Sequence, residues 1–173
     1  VIDPSGKPFG TVSIWRDITD RRRNEERIEA LAFYDPLTKL ANRARAQEVL
    51  LDLLAAHRHA KQHMALAIFD LDNFAAVNSI FGHNIGDALL RATGRRLSNT
   101  IEAGSFAARL SSDEFLVLLT ELGDDRMTAL QTAQERIDRL HEKLSQKAFV
   151  NSHHITPSTC VGAVLVGPEA ESA

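Results

Sequence analysis

Met64-Ala65-Leu66-Ala67-Ile68-Phe69 is an unbroken apolar run that stops at Asp70-Leu71-Asp72. Six residues are too few for a self-sufficient helix, and their lack of alternation predicts a strand buried on both faces. Such a strand must lie inside a layered fold, with other elements covering it above and below. Side chains two apart share a face while the strand lasts, so Asp70 and Asp72 are expected to approach one ion. A second apolar run, Phe115-Leu116-Val117-Leu118-Leu119, follows another acidic pair, Asp113-Glu114. With Phe106-Ala107-Ala108-Arg109-Leu110 before it, this reads as a β-hairpin whose tip, Ser111-Ser112-Asp113-Glu114, faces solvent or ligand.

The remaining pattern supplies helices. Ala46, Val49, Leu50, Leu53, Leu54 and His57 mark one helical face, Phe74 to Ile80 a short helix, and Ile85, Ala88, Leu89, Ala92 and Leu97 another. Gly82-His83-Asn84 is expected to break the chain between the last two. Ala129, Ala133, Ile137, Leu140 and Leu144 mark a long amphipathic helix, and Ile155 to Val166 a last strand interrupted by Pro157 and Gly162. His57, His59 and His63 are expected to be solvated, because positions two apart on a helix point to different faces and converge poorly on a metal. The order predicts an α+β fold with helices packed on a mostly antiparallel sheet.

Composition narrows the function. The 173 residues suffice for one substantial core, and a hydrophobic fraction of 44% with 25% charged residues fits a globular protein without bilayer-spanning runs. A net charge of −3 gives no general attraction to nucleic acid, so a polyanionic ligand needs a local site or a metal. Cys160 is the single cysteine, which excludes an internal disulfide; its apolar, strand-like context predicts a buried, inert thiol and fits a reducing compartment. Val1 opens the chain without a charged n-region or apolar h-region, as expected of an excised piece rather than a secreted precursor.

Ahead of the core, Asp3-Pro4-Ser5-Gly6-Lys7 signals a turn and Thr11 to Arg16 a half-buried strand. Thr19 or Asp20 can cap a helix running through Arg21-Arg22-Arg23, with a narrow stripe at Ile28, Leu31 and Ala32. That stripe suits either pairing with another helix or a solvated linker. The pattern from Gly10 through Trp15-Arg16-Asp17-Ile18-Thr19-Asp20-Arg21-Arg22 resembles the exit of a PAS sensor domain, which implies an upstream sensor.

From Asp35 to Val166 the chain resembles the GGDEF domain of diguanylate cyclases. The resemblance rests on Asp35-Pro36-Leu37-Thr38-Lys39-Leu40-Ala41-Asn42-Arg43, Asp70-Leu71-Asp72-Asn73-Phe74, Asn78, Gly82-His83-Asn84-Ile85-Gly86-Asp87 and Arg109-Leu110-Ser111-Ser112-Asp113-Glu114-Phe115. It implies a palm-like sheet similar to those of nucleotidyl cyclases and polymerases. The division expected is a PAS remnant at 1–18, a signalling helix at 19–34 and a GGDEF domain, incomplete at its C-terminus, at 35–173.

The resemblance also implies the condensation of two GTP into cyclic di-GMP and pyrophosphate by a homodimer. Attack of a ribose hydroxyl on an α-phosphate needs charge neutralisation and hydroxyl activation, which carboxylate-held Mg2+ or Mn2+ provides. By similarity, Asp70, Asp113 and the Leu71 carbonyl are the metal ligands, and Asp113 and Glu114 the catalytic acids. Asn78 and Asp87 match guanine-reading positions, and guanine's donors at N1 and N2 and acceptor at N3 suit a carboxylate with a carboxamide. The backbone at Asn73, Phe74 and Ala75 is expected to cradle phosphates, with Ser111 and Ser112 at the nucleotide. Asp35 and Arg43 are assigned structural work at the domain entrance, and Asn42 a helix cap. The need for GTP implies cytoplasmic placement, in a parent that can still be membrane-anchored; this segment itself implies neither membrane contact nor nucleic-acid binding.

Four departures from the family pattern stand out. Ser111-Ser112 replaces two glycines; a two-residue turn there demands positive φ, a strain of roughly 1–2 kcal/mol for a non-glycine residue. Ala75 stands for a common lysine and Ser79 for an aspartate. Glu102-Ala103-Gly104-Ser105 occupies the place of the Arg-x-x-Asp product-inhibition motif, so feedback there is not expected. The chain stops before the segment carrying further basic phosphate ligands. Two readings therefore stand: an active cyclase under PAS control, or a degenerate GTP-binding module regulating an attached EAL-type cyclic di-GMP phosphodiesterase.

Overall fold

The apolar run forms β1 (Met64–Leu71), and its neighbours in space explain why it has no polar face. In this computed structural model, residues 31–150 and 153–168 are described. β1 lies between β3 (Glu114–Leu119) and β6 (Thr159–Val166), and β2 (Phe106–Arg109) completes a sheet of order β2-β3-β1-β6 in which every strand pair is antiparallel. The expected α+β architecture is what the structure has. A small second sheet, β4 (Ala148–Val150) with β5 (His153–Ile155), lies outside the sequence expectation.

Alternation along β1 divides the core between the two faces of the sheet. Ala65, Ala67, Phe69 and Leu71 join Phe115, Val117 and Leu119 against Ile85, Leu89 and Leu97 of α3 (His83–Thr100) and Ala129, Ala133, Ile137 and Leu140 of α4 (Arg126–Leu144). On the other face, Met64, Leu116 and Leu118 pack with Ala46, Val49, Leu50 and Leu53 of α1 (Arg43–Ala60). Phe69 and Phe115, directly paired and both essentially inaccessible, each contribute about 1.5–3 kcal/mol through burial.

The local signals place the remaining ends. Asn42 caps α1 as expected, its Oδ1 accepting from the Arg45 N–H at 3.1 Å. α2 (Phe74–Phe81) ends at Gly82, whose φ of 84° suits glycine, and α3 resumes at once at His83, so the break is one residue wide. Asp125 caps α4 by accepting from the Thr128 N–H at 2.8 Å. Gly94 of α3 lies so close to Thr38 that an added Cβ would sit 2.9 Å from the threonine Cβ. Gly94→Ala is therefore expected to destabilise the domain by about 1–3 kcal/mol, read from denaturant unfolding, although alanine is the better helix former.

Three expectations are corrected. β6 runs unbroken through Gly162, which pairs with Ile68, because glycine keeps its N–H and weakens a strand without interrupting its ladder; the interruption is confined to 156–158. Cys160 is exposed, because β6 is the outer strand and alternation turns this residue away from α3 and α4. His63 is buried at 5% exposure, since its N–H donates to the Gly123 carbonyl at 2.8 Å as the chain enters β1. The PAS-like strand, most of the signalling helix and the side chains of His57 and His59 lie outside the described residues.

Candidate functional site

Strand register brings the acids together. Asp70 is the last β1 residue paired with β3, its partner is Glu114, and on its other side it pairs with Cys160. Residues directly opposite in antiparallel strands project to the same face, so Glu114, Asp70 and Cys160 form a row across three strands. The Leu71 N–H donates to the Asp113 carbonyl at 3.2 Å, which fixes the next residue of the hairpin to the same rim. Asp70, Leu71, Asp113 and Glu114, far apart in the chain, are thus neighbours.

The electrostatics of that rim are those of uncompensated charge. The Asp70 carboxyl is held above the ordinary aspartate value, by burial first and then by Asp113, Glu114 and Asp72. Among the described residues, no group of three or more His, Cys, Asp or Glu side chains is placed to hold a metal ion. The donor set here is smaller, the Asp70 and Asp113 carboxylates with a backbone carbonyl beside them. It consists of hard oxygens and carries surplus negative charge, which suits Mg2+ or Mn2+.

Asp72, one residue past the end of β1, stays close enough to Asp70 for its charge to act there. Its N–H donates to the Ser158 carbonyl at 3.0 Å, and hydrogen bonds from the Cys160 thiol and then the Ser158 side chain hold its carboxyl below the usual value. The same hydrogen bond and the Asp72 charge push the Cys160 thiol up, which disfavours its thiolate although it is exposed.

The serine turn is built differently from the expectation. Four residues, 110–113, separate β2 from β3, closed by the Leu110 N–H donating to the Glu114 carbonyl at 2.9 Å. Neither Ser111 nor Ser112 has positive φ, so the strain expected of a two-residue turn is absent. Their effect lies in their hydroxyls: Ser111 Oγ donates to Glu114 Oε2 at 2.8 Å, and Ser112 Oγ donates to Asp113 Oδ1. Both hairpin acids are hydrogen-bonded by the residues that replace the glycines.

Beneath the turn lies a pairing that the sequence did not reveal. Arg109 Nη1 contacts both Asp35 carboxylate oxygens, at 3.1 and 3.2 Å, and Nη2 donates to the Ser112 carbonyl at 2.7 Å. Asp35 also accepts from the Thr38 N–H and hydroxyl, both at 2.7 Å. Burial alone would raise its carboxyl; the Thr38 bonds and the Arg109 charge outweigh that and hold it low. The domain entrance is thereby bonded to the signature turn across 74 residues.

The nucleotide-reading candidates follow from the same end of β1, which runs out at Leu71 just before Asn73. Asn73 adopts φ 55°, ψ 28° and starts α2 with no side-chain cap, so the first N–H groups of that helix, at Phe74 and Ala75, have no carbonyl partner within the helix. Asn78 is in the last turn of α2 and Asp87 in the first turns of α3, where Asp87 lies 3.8 Å from Arg91. Glu102, at the place of the absent product-inhibition arginine, pairs with Arg136 at 3.0 Å and Arg139 at 3.3 Å.

Comparison with known proteins gives a consistent result. The family model "Diguanylate cyclase, GGDEF domain" matches residues 32–173. An uncharacterized signaling protein of Caulobacter vibrioides is 41% identical over 163 residues, covering 94% of this chain and 20% of that protein. The bifunctional diguanylate cyclase/cyclic di-GMP phosphodiesterase MucR of Pseudomonas aeruginosa is 33% identical over 144 residues, covering 83% of this chain and 20% of MucR. The chain thus spans a fifth of the length of each of these relatives. The crystal structure of a sensory box/GGDEF family protein from Caulobacter crescentus superposes with a TM-score of 0.71 at 35% identity, covering 78% of this chain and 83% of that one.

Proposed function

Since this chain belongs to the GGDEF family, we propose that it performs diguanylate cyclase chemistry, joining two GTP into cyclic di-GMP with release of two pyrophosphates. The observation that carries this reading is the convergence of Asp70, Asp113 and Glu114 on one rim, with the Asp70 carboxyl raised by burial and then by its neighbours. Asp70, Asp113 and the Leu71 carbonyl would hold Mg2+ or Mn2+. A divalent ion bound there supplies phosphate charge neutralisation and eases loss of the ribose hydroxyl proton.

The chain's own residues do the rest. The N–H groups opening α2 receive phosphate oxygens, Asn78 and Asp87 read the guanine edge, and Glu114 positions the attacking hydroxyl. One domain presents one GTP, so turnover takes two copies face to face. An upstream PAS sensor is the proposed control, acting through the segment that enters at Asp35. No helix among the described residues is long and apolar enough to cross a membrane; placement in the cytoplasm is proposed from the substrate.

The second reading has its own observation. The hydroxyls of Ser111 and Ser112 occupy the two hairpin carboxylates, which favours a GTP-binding regulator of an attached EAL-type phosphodiesterase, a pairing of activities that MucR is named for.

Incubation with GTP and Mg2+ or Mn2+, followed by chromatography of the nucleotides, separates the readings: cyclic di-GMP forms in the first and is absent in the second. Asp70→Asn is expected to abolish product while raising the melting temperature of the metal-free protein, because it removes a carboxylate that its neighbours repel. The sign follows from the raised carboxyl: its ionisation opposes folding, so the metal-free wild type loses stability as pH rises through that carboxyl's folded-state value, and Asp70→Asn lacks this loss. A variant that still makes product, or that melts at a lower temperature, would contradict the assignment.

A further inference from the structure

Gly86 is buried in the first turns of α3, where glycine is a poorer helix former than alanine and is out of place unless something needs its lack of a side chain. Its φ is not in the left-handed region, so the backbone makes no such demand. Space does. A Cβ at this position would lie 2.0 Å from Asn78 Oδ1, 3.0 Å from Asn78 Cγ and 3.2 Å from Phe74 Cζ. The turn at Gly82 folds α2 back against α3, and the Asn78 carboxamide occupies the volume where a side chain of residue 86 would begin.

We propose that Gly86 is a specificity-determining positioning residue: by having no side chain it lets the Asn78 carboxamide lie against α3, beside Asp87, in the orientation that reads guanine. This rests on the reading of Asn78 and Asp87 as the guanine contacts. The atoms a methyl group would strike belong mainly to the mobile end of a polar side chain, whereas the backbone is not in its way. An alanine here is therefore accommodated by swinging Asn78 aside, with the helix gaining propensity. Fold and recognition separate: stability is kept while the base contact is lost.

The test is a double-mutant cycle of Gly86→Ala, Asn78→Ala and their combination. GTP and inosine triphosphate, which lacks the 2-amino group, are titrated calorimetrically with Mg2+ present, alongside thermal melts. Gly86→Ala is expected to weaken GTP binding about tenfold, the effect of one lost hydrogen bond, and to narrow the preference for GTP over inosine triphosphate. It should leave the melting temperature within a few degrees and add nothing in the Asn78→Ala background. Unchanged GTP affinity in Gly86→Ala overturns the proposal, as does an equal loss whether or not Asn78 is present. If Asn78→Ala itself leaves GTP binding intact, the guanine assignment fails and the role of Gly86 with it, a result distinct from a needed Asn78 and an indifferent Gly86. Independently of nucleotide, the side-chain amide resonances of Asn78 must shift in Gly86→Ala; resonances that stay in place refute the displacement.

Discussion

Replacing both turn serines with glycine is expected to raise cyclic di-GMP synthesis on the order of a hundredfold, because the replacement frees the two acids that the chemistry needs. Ser111 donates to Glu114 and Ser112 to Asp113. Hydrogen bonds to charged groups contribute about 1.5–3 kcal/mol each when sheltered, and these exposed ones sit at the low end. Together they hold the carboxylates in a self-bonded arrangement by roughly 3 kcal/mol, and about 1.4 kcal/mol corresponds to a factor of ten in rate.

The double variant should also be slightly less stable, by roughly 0.5–1 kcal/mol per glycine, since unfolded glycine has more freedom to lose. Higher product by nucleotide chromatography with a slightly lower melting temperature is the expected pair of results. A lower melting temperature with no rise in product would move the fault to Ala75 and Ser79, and would favour the regulatory reading.

Asp35→Ala is expected to be the most destabilising single change at the site, by about 3 kcal/mol, measured by denaturant unfolding. The side chains of Asp35 and Arg109 are only 17% and 12% exposed, and the carboxylate also accepts from Thr38. Its removal leaves the Arg109 guanidinium sheltered and without its counter-charge. The same arginine donates to the Ser112 carbonyl, so the variant should also loosen the hairpin tip. Hydrogen exchange at Asp113 and Glu114 should quicken beyond the effect of global destabilisation. The pH dependence has a definite sign: the carboxyl is held low in the fold, so its stabilisation is present above the ordinary aspartate value and is lost as pH falls through its folded value. In Asp35→Ala that acid-side loss is absent. A cost below about 1 kcal/mol would mean that the pair behaves as a surface ion pair.

Much of this was legible in the chain because it is local. Periodicity placed α1 to α4, β1 and the hairpin, since each buries a stripe or a strand whose spacing is written in sequence. The motifs identified Asp70, Asp113 and Glu114 as candidates. What failed concerned neighbours. Cys160 was misread because only the strand order reveals that β6 has an outer edge, and Gly162 because only its pairing with Ile68 shows the ladder running through it. The partners of Asp72, Ser158 and Cys160, were not legible because they lie at the entry to β6, far along the chain. Asp35 was assigned to the entrance, but its partner Arg109 lies 74 residues on.

By itself the amino-acid order determined the family, the layered fold and the identity of the acids, because apolar spacing and short motifs are properties of adjacent residues. Tertiary structure alone decided that Asp70 faces Glu114, that the turn serines bind the acids without strained backbone, that Arg109 ties entrance to tip, and that Gly86 leaves room for Asn78. The reason is physical: register, burial and excluded volume arise only when segments distant in the chain come within contact of one another.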